Sequence, residues 1–155
     1  MNREIKFRGL TENADDTKEF AYGYLSMCEG KFTIGDSEGV GTLVCDENSI
    51  GQYTGLKDKN GKEIYEGDIL QAHGNKVDLS KVVYGEFPVI DVDTLTATDN
   101  VIGWHYEVIP TDAWSKCQPF DIPMPLTEFY ISSCEFKVIG NIWENPELLN
   151  GGATE

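Results

Sequence analysis

The sequence predicts a mainly β fold built from antiparallel strands. Apolar side chains recur at period two in short runs, as they do along half-buried strands. Turn residues punctuate those runs, with 16 glycines in a chain of 155 residues. Long amphipathic helical patterns are missing. Many short strands between frequent turns suit a sandwich or a barrel.

The first strand is expected at Arg3–Arg8, where Ile5 and Phe7 alternate with charged neighbours. Residues 11–19 are a polar loop. Phe20, Tyr22 and Tyr24 then share one face of a second strand. Glu29-Gly30-Lys31 turns that strand into Phe32–Ile34 as a hairpin. Gly35 to Gly41 is a flexible acidic connection. In the segment Ile50 to Leu70, Asn60-Gly61 is a strong turn signal because both residues tolerate positive φ. Gly67-Asp68 is a second break, leading into the apolar Ile69-Leu70. Val82-Val83-Tyr84 reads as a further strand. Residues 86–126 hold Pro88, Pro110, Pro119, Pro123 and Pro125, which favour loops and edge strands, although Asp99–Ile109 can supply one strand. Phe136 to Trp143 is a final strand. Asn145 suits a helix cap, Pro146 a first helical position and Glu147 the positive helix N-terminus, so a short closing helix follows. Leu148 and Leu149 are placed to dock it on the core. The expected organisation is one domain over residues 1–150, with 86–126 a variable, loop-rich insertion and 151–155 a disordered tail.

Acidic residues outnumber basic ones by 27 to 12, giving a formal charge of −15. A field of that sign repels a polyanion, and Lys and Arg are too sparse to neutralise phosphates, so direct nucleic-acid binding is excluded as an expectation. The charge is unevenly placed: net −5 over residues 1–50, zero over 51–85 and −10 over 86–155, where Lys116 and Lys137 are the only basic residues. No apolar run is long enough to span a membrane, and Met1 to Leu10 lacks the apolar stretch of a secretory signal. Cys28, Cys45, Cys117 and Cys134 are widely spaced without a C-x-x-C pair, which suits reduced thiols in a cytoplasmic protein.

Chemistry-bearing patterns are weak, and no catalytic, cofactor-binding or metal-ligating residue is assigned. Asp58-x-Asn60-Gly61 has its glycine at the fourth position, not the sixth that a calcium loop needs, and reads as a hairpin turn. Asp91 and Asp93 share one strand face and could hold a divalent cation, but a solvated face explains them in so acidic a chain. His73 and His105 belong to no zinc framework. Gly39-x-Gly41 is too short for a dinucleotide fingerprint, and no Gly-x-Ser-x-Gly elbow exists. Phe20, Tyr22 and Tyr24 could stack bases, but without accompanying basic residues core packing is the expectation. Trp104, His105 and Trp114 could line a pocket for a small ligand or a reaction.

Ile50–Leu70 (IGQYTGLKDKNGKEIYEGDIL) and Val138–Leu149 (VIGNIWENPELL) resemble the signature segments of the YopX proteins. The opening REIKFRGL and the aromatic strand Phe20–Leu25 match as well. The chain departs from the family pattern at Leu10, where Trp is usual, and at Trp143, where Tyr is frequent. Residues 86–126 match nothing in it. YopX proteins are encoded mainly by phages and prophages. The resemblance implies a small SH3-like pseudo-barrel of antiparallel strands with short helices. It supplies no catalytic residue, cofactor or ligand.

The expectation is therefore a phage or prophage accessory protein in the bacterial cytoplasm. It is non-catalytic and acts through a protein partner or self-association, with no cofactor and no membrane. Two other readings accompany it. An acidic DNA mimic would block a host nucleic-acid-binding protein through carboxylates spaced like phosphates. A small-ligand binder or enzyme would use a pocket near Trp104, His105 and Trp114.

Overall fold

The computed structural model describes residues 3–36, 41–91 and 93–150. The chain is mainly β, as expected, with two antiparallel sheets and few short helices, and neither sheet closes into a barrel among the described residues. It divides into two compact units, Met1–Gly55 and Leu56–Glu155. Among the described residues no helix is long and apolar enough to cross a membrane. The expected tail and the centre of the Gly35–Gly41 connection lie outside the described residues.

In the first unit, β1 (Phe7–Glu12), β2 (Lys18–Cys28), β3 (Lys31–Gly35), β4 (Leu43–Val44) and the start of β5 (Gly51–Lys57), which runs past Gly55, lie side by side in the order β4-β3-β2-β1-β5. The β2–β3 hairpin turns at Glu29 and Gly30 as predicted. Both have positive φ, +50° and +77°, which matches the twist of the flanking strands. Two expectations are corrected here. The first strand begins at Phe7, not Arg3. Its buried residues are Arg8, Gly9 and Thr11, while Ile5 is exposed. Arg8 can be buried because its guanidinium lies 4.6 Å from the centre of the Phe20 ring, a cation–π contact on the opposite strand. Tyr22 and Tyr24 are not core residues, since each is half exposed. The core uses Ile34, Cys45 and Tyr53 instead. Ser49, in a 3₁₀ turn at Glu47–Ser49, is fully buried, accepting from Leu10 N at 2.7 Å and donating to Asp46 O at 2.7 Å.

The second unit contains β6 (Glu63–Tyr65), β7 (Asp68–Gln71), β8 (Leu79–Asp91), β9 (Thr96–Val108), β10 (Met124–Pro125), α1 (Glu128–Ser133) and β11 (Lys137–Asn141). Its sheet runs β10-β9-β8-β7-β11. Adjacent residues on a strand face opposite ways, so Ile69 and Leu70, both fully buried, show that β7 is covered on two faces. Leu70 joins Ile64, Val82, Tyr106, Leu126, Ile131, Phe136 and Val138 in the main core. Ile69 packs with Leu79 and Ile109 in a second cluster. Leu148 and Leu149, from a closing 3₁₀ helix at Pro146–Asn150, dock on that second cluster as expected.

The stretch 86–126 is more regular than its prolines suggest. Its first half completes a hairpin with thirteen residues in each strand, β8 and β9. Pro88 sits within the ladder, opposite Asn100. It is tolerated because β7 pairs with β8 only over Leu79–Lys81, so at Pro88 the β8 ladder has, among the described residues, β9 as its strand partner. Residues 109–123 are irregular, as expected.

Candidate functional site

The distal end of the β8–β9 hairpin is closed by an acidic turn. Asp91 accepts from Asp93 N at 3.0 Å, Thr94 N at 2.9 Å and Thr94 Oγ1 at 3.0 Å. These bonds hold its carboxyl below the usual range. Asp91 thus serves the turn, and Asp93 contributes its amide to it, which is not the geometry of a paired cation site. Among the described residues no group of three or more His, Cys, Asp or Glu is placed to hold a metal ion.

Beside this end of the hairpin the irregular segment 119–123 and β10 run past the strands. Between them lies an apolar hollow of about 550 Å³, walled by Phe87, Val89, Leu95, Val101, Ile122 and Met124 among others. Among the described residues, Tyr130 from α1 brings the only side-chain hydroxyl to its wall. Thr127 caps that helix by accepting from Tyr130 N at 3.3 Å.

The structure does not assemble the pocket that Trp104, His105 and Trp114 suggested. His105 is 2% exposed, stacked on Phe87 at 4.6 Å between ring centroids, with Nδ1 3.2 Å from Gly103 O and Nε2 3.5 Å from Glu107 Oε1. Trp104 points to the other face of β9, where it meets Tyr84 at 4.9 Å and packs against the main core. Trp114 is 69% exposed, sits edge-on to Phe120, and lines a smaller hollow of about 240 Å³ with Asp78, Asp112 and Ser115. Neither Trp104 nor His105 lines either hollow. His73 is exposed, 3.7 Å from Glu135 Oε2. Strand periodicity alone separates Trp104 from His105, because neighbours on a strand face opposite sides. The apolar hollow was missed because its walls come from three separate segments.

The model of the YopX protein family matches residues 6–150. The chain belongs to the YopX family. No curated protein matches it. Among solved structures, protein EF1440 from Enterococcus faecalis is similar to it at 23% identity and a TM-score of 0.42, over 96% of this chain and 99% of that one.

The YopX-like segments have architectural roles here. Asp58 is buried and holds three backbone amides: Asn60 N at 2.8 Å and Lys62 N at 2.9 Å on Oδ1, and Val138 N at 2.9 Å on Oδ2. It thereby forms the turn at Gly61 (φ +82°) and pins that turn to β11. Gly67 (φ +80°) leaves room for the Trp143 ring, which a Cβ would overlap. Asp68 accepts from Tyr65 N at 2.8 Å. Asn141 accepts from Trp143 N and Glu144 N at 3.1 and 2.9 Å, which bends the chain after β11. Asn145 departs from its expected role. Its side chain accepts from Asn141 N at 3.3 Å, before the closing turn, and does not cap the helix that follows. The YopX signature in this chain is a set of turns and close approaches, and the apolar hollow lies outside it.

Proposed function

We propose that this YopX protein is a non-catalytic accessory protein of a phage or prophage, acting in the host cytoplasm by binding another protein. The observation that carries the reading is the exposure of large apolar side chains along the β8–β9 hairpin and the segment after it. Ile102 and Phe129 are each 72% exposed, and Tyr84, Val89, Leu95, Val101, Trp114 and Phe120 are exposed as well. Tyr84 and Ile102 lie on one face of the hairpin and Val89 and Val101 on the other, and exposed apolar surface of this kind marks a place where something docks. Aromatic residues there supply the anchors that interfaces favour.

The DNA-mimic reading has less support. Asp58 and Asp68 are buried and bound to backbone amides. Along the hairpin, Glu86 lies opposite Ile102 and Asp99 opposite Val89, which puts the two carboxylates on opposite faces. Affinity capture from infected and uninfected bacterial lysates tests the proposal. A specific protein retained by the wild type and lost with Ile102→Lys is the expected result. Failure to retain any specific protein in either lysate overturns it.

A further inference from the structure

We propose that the apolar hollow at the distal end of the β8–β9 hairpin seats the anchor of a basic partner segment: large aliphatic or aromatic side chains flanked by Lys or Arg. This rests on the reading that the protein acts by binding another protein, and it names the class of partner. At about 550 Å³ the hollow falls within the range of about 300–1,000 Å³ that ligand sites occupy. Among the described residues its walls are apolar side chains, with the Met124 thioether, the Tyr130 hydroxyl and the backbone as the polar or polarisable groups. A ligand rich in polar groups would lose its hydrogen bonds to water there and recover few of them. An apolar anchor gains by leaving water. Val89, Leu95 and Val101 at the hollow are all exposed large apolar residues.

The rim decides the sign of the occupant's charge. Asp91 and Asp93 form the hairpin turn, Asp99 faces Val89 across the ladder, and Asp121 lies between Pro119 and Ile122. All four are exposed. From Glu86 to Ser115 the chain has no Lys or Arg. An anionic amphiphile or nucleotide would meet like charge on entering, and so would a second copy of a chain carrying −15. A cationic flank meets complementary charge, which raises the rate of encounter and fixes the register. Asp91, held by its turn, keeps its charge in mildly acidic buffer as well.

Three fluorescein-labelled peptides test this by anisotropy at physiological salt: Lys-Lys-Leu-Leu-Trp-Leu-Lys-Lys, the same with Glu for each Lys, and the same with Ser for each Leu and Trp. The lysine peptide is expected to bind at least tenfold more tightly than either control. Val101→Lys should weaken it at least tenfold, and the triple change Asp91→Asn, Asp99→Asn, Asp121→Asn at least threefold. Ile122→Lys, outside the ladder, repeats the first test should Val101→Lys fail to fold. Equal binding of the glutamate peptide overturns the proposal. So does an unchanged affinity in a folded lysine variant. Two further outcomes overturn it: the neutral dye N-phenyl-1-naphthylamine binding without being displaced by the peptide, or a dimer that Val101→Lys dissociates in sedimentation. In lysate capture, a partner retained equally by wild type and Val101→Lys overturns this inference and leaves the protein-binding reading standing. Retention of none overturns that reading itself.

Discussion

At the scale of single residues, Asp58 shows how a polar side chain can specify a fold. Its two oxygens take three amide protons, two from its own turn and one from Val138, 80 residues away. Hydrogen bonds to a charged acceptor are each worth about 1.5–3 kcal/mol, and a buried amide left without a partner costs its desolvation. Asp58→Ala should therefore destabilise the protein by about 3 kcal/mol or more, read from the urea midpoint with the slope unchanged. A loss below about 1 kcal/mol would show that water takes over the acceptor role. The local half of this arrangement is legible in the sequence, because Asp-x-Asn-Gly is turn chemistry. The link to Val138 is not, since it depends on which strand the fold brings to the turn. Arg8 teaches the same lesson from the other side. A charged residue reads as exposed until the Phe20 ring is known to cover it.

At the scale of elements, pairing overrides propensity. Proline in the stretch after Glu86 argues for loops, yet β8 and β9 pair from Ser80–Val108 out to Asp91–Thr96, with one shift of register between Val89 and Ile90. The single-sided ladder admits Pro88, and the Asp91 turn closes the tip. The helix α1 escaped a sequence reading because six residues are too few to show a helical period. The loop entering β8 carries a testable strain. Burial pushes the Asp78 carboxyl up, His73 draws it down, and Asp112 adds to the rise, leaving it above the ordinary value. For an acid raised in the folded state, the unfolded chain gives up its proton first. Stability then falls as pH rises from the unfolded pKa through the folded one. Asp78→Asn should accordingly raise the melting temperature at neutral pH, with the difference narrowing toward about pH 2.5, where the carboxyl is protonated in both states. Thermal melts of both proteins across that range check it. A lower melting temperature for the variant at neutral pH would mean that the carboxylate is stabilising where it stands.

At the scale of the whole molecule, fold class is legible because strand alternation and turn residues are local signals. The hollow is not, because Phe87, Val101 and Ile122 meet only once the hairpin and the segment after it are in place. Charge belongs to this scale too. A chain at −15 repels itself when compact. Lys81 pairs with Glu107 at 2.9 Å, but near the surface such a pair contributes little. Raising NaCl from about 10 mM to about 0.5 M shrinks the screening length from about 30 Å to a few ångströms, so repulsion should fade more than attraction. The expected result is a melting temperature higher by about 3 °C, equivalent to about 1 kcal/mol for a chain of this size. A fall with salt would mean that attractive pairs dominate. The triple asparagine variant of Asp91, Asp99 and Asp121 sharpens the point, since asparagine keeps the turn acceptor and removes three of the charges. If acidity there only keeps the protein soluble, the variant binds the lysine peptide as before. If the rim selects a partner, the same variant loses binding while its melting temperature depends less on salt.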